Sequence, residues 1–216
     1  MFTYLNKHEL KFPNPKNADK DGLLAVGGDL SIERLLLAYS NGIFPWYGPD
    51  DPILWYAPRK RCVLYPQDIK ISKSMKQVLR NKQFEIRINT AFEEVINACA
   101  NTFRPGQDGT WIQEELIESF LELHKIGFAL SVETWKNNEL VGGLYGIVIG
   151  KIFCGESMFS TVANASKFAF IHLAQHMGFD LIDCQLPNPH LMSLGATLIP
   201  NTEYYEILKK NNILSN

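Results

Sequence analysis

At 216 residues, 46% apolar and 20% charged, the chain has the size and balance of one globular core with at most a small appended unit. No apolar run reaches the roughly 18 residues of a membrane span, and the first residues, Met1-Phe-Thr-Tyr-Leu-Asn-Lys-His-Glu9, lack the basic-then-apolar plan of a secretory signal, so we expect a cytoplasmic protein with no membrane partner. A net charge of −2 speaks against a uniformly basic nucleic-acid binder, and four scattered cysteines (Cys62, Cys99, Cys154, Cys184) fit reduced thiols better than a disulfide framework or zinc site.

Residues 1–28 are turn-rich, with Phe12-Pro-Asn-Pro15 and Asp21-Gly22. Ser31 as N-cap and Gly42 as stop predict a helix over 32–41, with Leu35, Leu36 and Tyr39 on one face. The prolines of Gly42-Ile-Phe-Pro-Trp46-Tyr-Gly-Pro49 and Pro52-Ile-Leu-Trp-Tyr-Ala-Pro58 speak against a regular element interior. Aromatics on such loops are either the core of a small domain or stacking platforms for bases; Trp46 is the candidate for function. Composition shifts at the short apolar strand from Cys62, so the expected domains are 1–64 and 65–216.

Charge is unevenly spread. From Arg59 to Lys82 eight basic residues face one acid, Asp68, and a helix over 72–81 lines up Lys73, Lys76 and Arg80 at i, i+3, i+7. That face is either solvated or a limited footprint for a phosphate backbone. A strand over 84–88, an amphipathic helix over 91–100 and a loop over 101–109 follow, and Trp111 is presented at the start of a helix over 113–126 that carries Phe120. The period then changes to strands over 129–135, 140–150 and 152–159, the first two joined by a turn at Lys136-Asn-Asn-Glu139. A helix over 164–176, a strand over 181–185 and a short helix from Leu191 complete the pattern of an α+β mixed sheet with helices packed on it.

Strong polar groups stand in the last apolar strands. Alternation puts Glu156 and Met158 on one face and Asp183 and Gln185 on another shared face. Burying such groups unpartnered is costly, so they satisfy one another or meet a ligand. No phosphate-binding loop, dinucleotide fingerprint or nucleophile elbow is present, and His172 and His176 lack an acidic companion, so no cofactor and no metal are expected. What remains suits acyl transfer from an already activated donor, where positioning and proton handling supply the catalysis.

Gly27-Gly-Asp-Leu-Ser31, Gly42-Ile-Phe-Pro-Trp46, Thr110-Trp-Ile112, Ser131-Val-Glu133, Leu140-Val-Gly-Gly-Leu-Tyr-Gly146, Gly155-Glu-Ser-Met-Phe-Ser160, Asn164-Ala-Ser-Lys167, Ile182-Asp-Cys-Gln185 and Ser193-Leu-Gly-Ala196 run in the order found in the bacterial leucyl/phenylalanyl-tRNA–protein transferases, and the chain resembles that family from about residue 12 to 200. The resemblance implies a small N-terminal domain fused to a GNAT-like (acyl-CoA N-acyltransferase-type) domain. It implies an enzyme that takes Leu, Phe or Met from aminoacyl-tRNA to a protein's N-terminal Lys or Arg, creating an N-degron; a monomer is the default expectation. Asp183 would then orient Gln185, whose carbonyl oxygen holds the attacking amine, while Glu156 holds an amino group. Tyr39, Trp46 and Trp111 would embrace the terminal adenosine, Leu144 and Met158 line the side-chain pocket, and Lys73, Lys76 and Arg80 meet tRNA phosphates. The chain departs from the family pattern at Phe120, where a tyrosine is expected, at Leu144, where a methionine is common, and at Asn201-Thr202, where an arginine is expected. Three rivals are an acyl-CoA acetyltransferase, a peptidoglycan-type aminoacyl-tRNA transferase, which would lack the Trp-rich N-terminal domain, and a tRNA-binding module in which Asp183 and Gln185 are structural.

Overall fold

The computed structural model describes residues 3–102 and 112–211, and its strands fall into two sheets. The smaller sheet contains β1 (Thr3–Leu5) and β2 (Leu23–Gly27), then, after helix α1 (Ile32–Ser40), β3 (Phe44–Pro45) and β4 (Leu54–Tyr56), in the order β1-β2-β4-β3. The proline-rich stretch is therefore more regular than expected. Pro45 ends an edge strand and Pro52 and Pro58 lie outside β4, where the lost N–H costs no ladder bond. Trp55 is wholly buried, its Nε1 donating to the Gly27 carbonyl at 2.8 Å.

The larger sheet begins with β5 (Lys60–Leu64), a strand that pairs with none of the smaller sheet, so a division by sheets falls just before Lys60. Helix α2 (Lys73–Arg80) follows, capped by Ser72 Oγ, which accepts from the Met75 N–H at 3.2 Å. Then come β6 (Glu85–Ile88), α3 (Phe92–Ala100), α4 (Glu114–Lys125) and the meander β7 (Ala129–Lys136), β8 (Glu139–Ile149) and β9 (Ile152–Ser160). The β7–β8 turn places Asn137 and Asn138 at φ 52° and 62°, as a tight hairpin requires and asparagine tolerates. Helix α5 (Ala165–His176) crosses over to β10 (Leu181–Gln185), and α6 (Pro189–Ser193), β11 (Thr197–Pro200) and α7 (Asn201–Asn211) close the chain. Helix α6 starts earlier than expected because Asn188 Oδ1 accepts from the Leu191 N–H at 2.8 Å and Pro189 occupies the first helical position.

In the larger sheet the strand order is β11-β5-β10-β9-β8-β7-β6, and among its described strands only β9 and β10 are parallel neighbours, as their helical crossover demands. One core, with Tyr39, Trp55, Phe120, Tyr145 and Tyr204, is shared by both sheets; a second, with Leu144, Phe153, Phe170 and Ile182, lies under α5 and α6. Glu133, from the Ser131-Val-Glu133 motif, accepts from the N–H groups of Thr90 and Ala91, the hydroxyls of Thr90 and Ser131, and Trp135 Nε1. Burial works to raise its pKa, but these bonds outweigh it and hold the carboxylate ionised at the start of α3.

Candidate active site

Strands β9 and β10 pair at only three positions, Ile152–Cys154 with Leu181–Asp183, and then part. A cavity of about 660 Å³ opens between the continuation of β9 and the segment leading into α6. Leu144, Phe153, Met158, Phe170, Ile182 and Leu191 form its apolar wall, and Glu156, Gln185, Asn188 and His190 its polar side.

Both reacting-side strands are bulged here. Tyr145 pairs with Ser157 and Gly146 with Gly155, so Glu156 is the extra residue; a Cβ on Gly146 would come within 2.2 Å of the Cys154 carbonyl oxygen, which is why that position is glycine. On β10, Asp183 pairs with Val63 and Gln185 with Cys62, leaving Cys184 extra and Gln185 at φ 59°. The expected alternation of Asp183 and Gln185 on one face is thereby broken. The Gln185 side chain reaches across the opening instead, its Nε2 donating to Glu156 Oε1 at 2.8 Å.

Asp183 is fully buried. Its Oδ1 accepts from Arg61 Nε at 2.7 Å and from the backbone N–H of Gln185 at 2.9 Å. Its Oδ2 accepts from Arg61 Nη2 and from the Tyr204 hydroxyl, both at 2.6 Å. It thus holds Gln185 through its backbone N–H. Arg61 also donates through Nη1 to the Gly42 carbonyl at 3.0 Å, and its guanidinium lies over the rings of Phe44 and Tyr204 at 4.7 and 4.8 Å. Burial works against the charge of Arg61, but Asp183 raises its pKa and keeps it protonated.

Burial pushes the Glu156 carboxyl up to about 8, with the Asp183 charge adding to the rise; contacts with Tyr39, Gln185 and Arg61 offset part of it. Glu156 is therefore mostly neutral at pH 7. Its Oε2 and the Tyr39 hydroxyl are buried without a hydrogen-bond partner among the described residues, although the two groups lie close enough to interact. Burial and then Glu156 raise the Tyr39 pKa well above its ordinary value.

Of the residues singled out from sequence, the cavity brings together Glu156, Asp183, Gln185, Leu144 and Met158. Tyr39 and Phe120 have no exposed surface, so no base stacks on either ring. Tyr39 reaches the site through its hydroxyl, and Phe120 packs edge-on against Tyr145, which borders the cavity, with centroids 5.6 Å apart. Trp46 is 38% exposed and lies beyond the cavity wall, edge-on to Tyr56. Trp111 lies outside the described residues. Lys73, Lys76 and Arg80 are exposed on α2, and none forms an ion pair among the described residues. Cys184 lines the cavity, but hydrogen bonding with Cys62 and burial raise its pKa, so it is a neutral thiol. Nothing in the local sequence pattern singles out Tyr204, or Arg61 from the basic residues beside it. Among the described residues no cluster of His, Cys, Asp or Glu is arranged to hold a metal ion, and no helix is long and apolar enough to cross a membrane.

Known proteins share this chain's pattern over nearly its whole length. The family model of the leucyl/phenylalanyl-tRNA protein transferase matches residues 63–209, and that of its N-terminal domain residues 28–59. The leucyl/phenylalanyl-tRNA–protein transferase of Flavobacterium psychrophilum is 53% identical over 94% of this chain and 97% of its own, and that of Shewanella pealeana 53% identical over 95% and 89%. Among solved structures, a GCN5-related N-acetyltransferase from Kribbella flavida aligns at a TM-score of 0.39 with 10% identity, over 76% of this chain and 58% of that one.

Proposed function

The chain belongs to the leucyl/phenylalanyl-tRNA–protein transferase family, enzymes that move leucine or phenylalanine from aminoacyl-tRNA to protein N-termini, and from that premise we propose how its own residues do so and on what. The donors are leucyl-, phenylalanyl- and methionyl-tRNA. The acceptor is the α-amine of an N-terminal Lys or Arg, and the product is an N-degron. The enzyme works as a cytoplasmic monomer without ATP. One observation carries this reading: a single cavity has an apolar wall suited to an unbranched-at-Cβ side chain and, beside it, the Gln185–Glu156 pair at 2.8 Å.

The aminoacyl ester is already activated. The acceptor nitrogen attacks the ester carbonyl carbon, the bond to the ribose oxygen breaks, and the proton lost from nitrogen ends on that oxygen. An α-amine with a pKa of about 7.7–8.0 is appreciably nucleophilic near neutrality. Since Gln185 Nε2 is committed to Glu156, its side-chain carbonyl oxygen is the group left to accept from the amine and align it. Glu156, neutral when the site is empty, ionises when a substrate ammonium comes beside it and then holds that group by a charge-assisted bond. Trp46 and Trp111 stack on the terminal adenosine, and Lys73, Lys76 and Arg80 meet acceptor-stem phosphates, which position without reading sequence.

The test is transfer of radiolabelled leucine from leucyl-tRNA to a peptide beginning with arginine, without ATP, beside the same peptide beginning with alanine. Incorporation into the arginine peptide alone is expected. Equal incorporation into both, or a need for ATP, contradicts the reading.

A further inference from the structure

We propose that Arg61 and Tyr204 are positioning residues for the transfer step, acting through the Asp183 carboxylate on the backbone of Gln185. The inference rests on the reading of Gln185 as the group that aligns the amine.

Asp183 receives four donors: Arg61 Nε and Nη2, the Tyr204 hydroxyl and the Gln185 N–H. That fills the roughly four acceptor positions of a carboxylate, and its side chain is wholly buried. It has no capacity left for a substrate amine or its proton, so its influence on the reaction runs through Gln185. Gln185 stands at φ 59°, a left-handed conformation that a residue with a Cβ adopts only when held there. The bond from its N–H to Asp183 Oδ1 is what holds it, and the held backbone aims the side chain at Glu156. The carboxylate is fixed in turn by Arg61, on β5, and Tyr204, on α7. Arg61 extends the chain one step further. Its Nη1 grips the carbonyl of Gly42, whose open Cα face packs against the Tyr204 and Tyr205 rings and which leads directly into Phe44 and Trp46. A single guanidinium thus ties the strand that carries the amine-aligning glutamine to the segment that carries the exposed tryptophan.

A buried ion pair can also be merely structural, so the test reads something that stability alone does not move. Tyr204→Phe removes one hydroxyl at nearly constant volume, and Arg61→Lys keeps the charge while losing the paired geometry. In the full-length protein, with leucyl-tRNA and an arginine-starting peptide, Tyr204→Phe is expected to lower kcat about tenfold with both KM values within about twofold. Arg61→Lys is expected to lower it further. In a Gln185→Ala background neither substitution lowers kcat again, since the group they position is gone. Three results overturn the proposal: kcat unchanged in Tyr204→Phe, a loss of the same factor with and without Gln185, or a loss confined to KM. If Gln185→Ala is itself fully active, the reading of Gln185 falls and the proposal with it. If Gln185→Ala is impaired while Tyr204→Phe is not, only the positioning role falls.

Discussion

Gln185 and Glu156 are 29 residues apart in sequence and meet at 2.8 Å because each of their strands carries one extra residue at that level. Without either bulge the two side chains would follow regular alternation and would not meet across the opening between β9 and β10.

The raised pKa of Glu156 makes stability depend on pH. The folded chain keeps this proton up to about pH 8, whereas an ordinary carboxyl releases it near 4.5. Between those values the folded state binds more protons than the unfolded one, so the favourable contribution is complete below about 4.5 and is lost as pH rises to 8. Glu156→Gln lacks this loss. Urea unfolding at pH 5.5 and 8 is expected to show the variant gaining on the natural protein by up to about 1.4 kcal/mol per pH unit. A difference independent of pH would place the Glu156 pKa at its ordinary value.

Asp183→Ala leaves the Arg61 guanidinium buried without its counter-charge. Losing one partner of a buried pair costs about 3–5 kcal/mol, so the urea midpoint should fall steeply. Asp29→Ala, which removes the partly exposed partner of Arg34, is the comparison and should cost less, because Arg34 keeps its bonds to the carbonyls of Asn6, Lys7 and Glu9.

Trp46→Ala takes away an exposed ring whose described aromatic contact is Tyr56. Base stacking on an aromatic is worth about 1–3 kcal/mol. The KM for leucyl-tRNA should therefore rise roughly 5- to 150-fold, with the melting temperature nearly unchanged. A lower melting temperature with KM intact would make Trp46 a core residue.

Replacing Lys73, Lys76 and Arg80 together by alanine should weaken tRNA binding and flatten its salt dependence. Each lost phosphate contact removes about 0.7–0.9 from the slope of log K against log salt, so a reduction of about 2–3 is expected from titrations between low and physiological salt. An unchanged slope would return α2 to a solvated face.

Much of the framework was legible in local pattern. Helices α2, α3 and α5 begin within a residue or so of their expected starts, because apolar spacing and, for α2, the Ser72 cap are local signals. The β7–β8–β9 meander follows from its apolar runs and the Asn137-Asn138 turn. Alternation left open whether Glu156 and Gln185 satisfy one another or meet a ligand, and two bulges bring them together. A bulge depends on the register of the partner strand, and the spacing along one strand carries no trace of it. Arg61 shows the same limit. It lies in a run of cations next to an apolar strand, and its partner Asp183 is 122 residues away, so only the folded sheet distinguishes it from its exposed neighbours Arg59 and Lys60. The small sheet was missed because its strands are two to five residues long and its prolines stand where they do no harm.

The most direct test of the account is the single-turnover rate of leucine transfer from pre-bound leucyl-tRNA to an arginine-starting peptide, compared between the natural protein and Gln185→Ala. The account requires a fall of about 10- to 100-fold in that rate, with leucyl-tRNA affinity unchanged. An unchanged rate would contradict it, since the amine would then be aligned by some other group and the Gln185–Glu156 pair would be part of the wall alone.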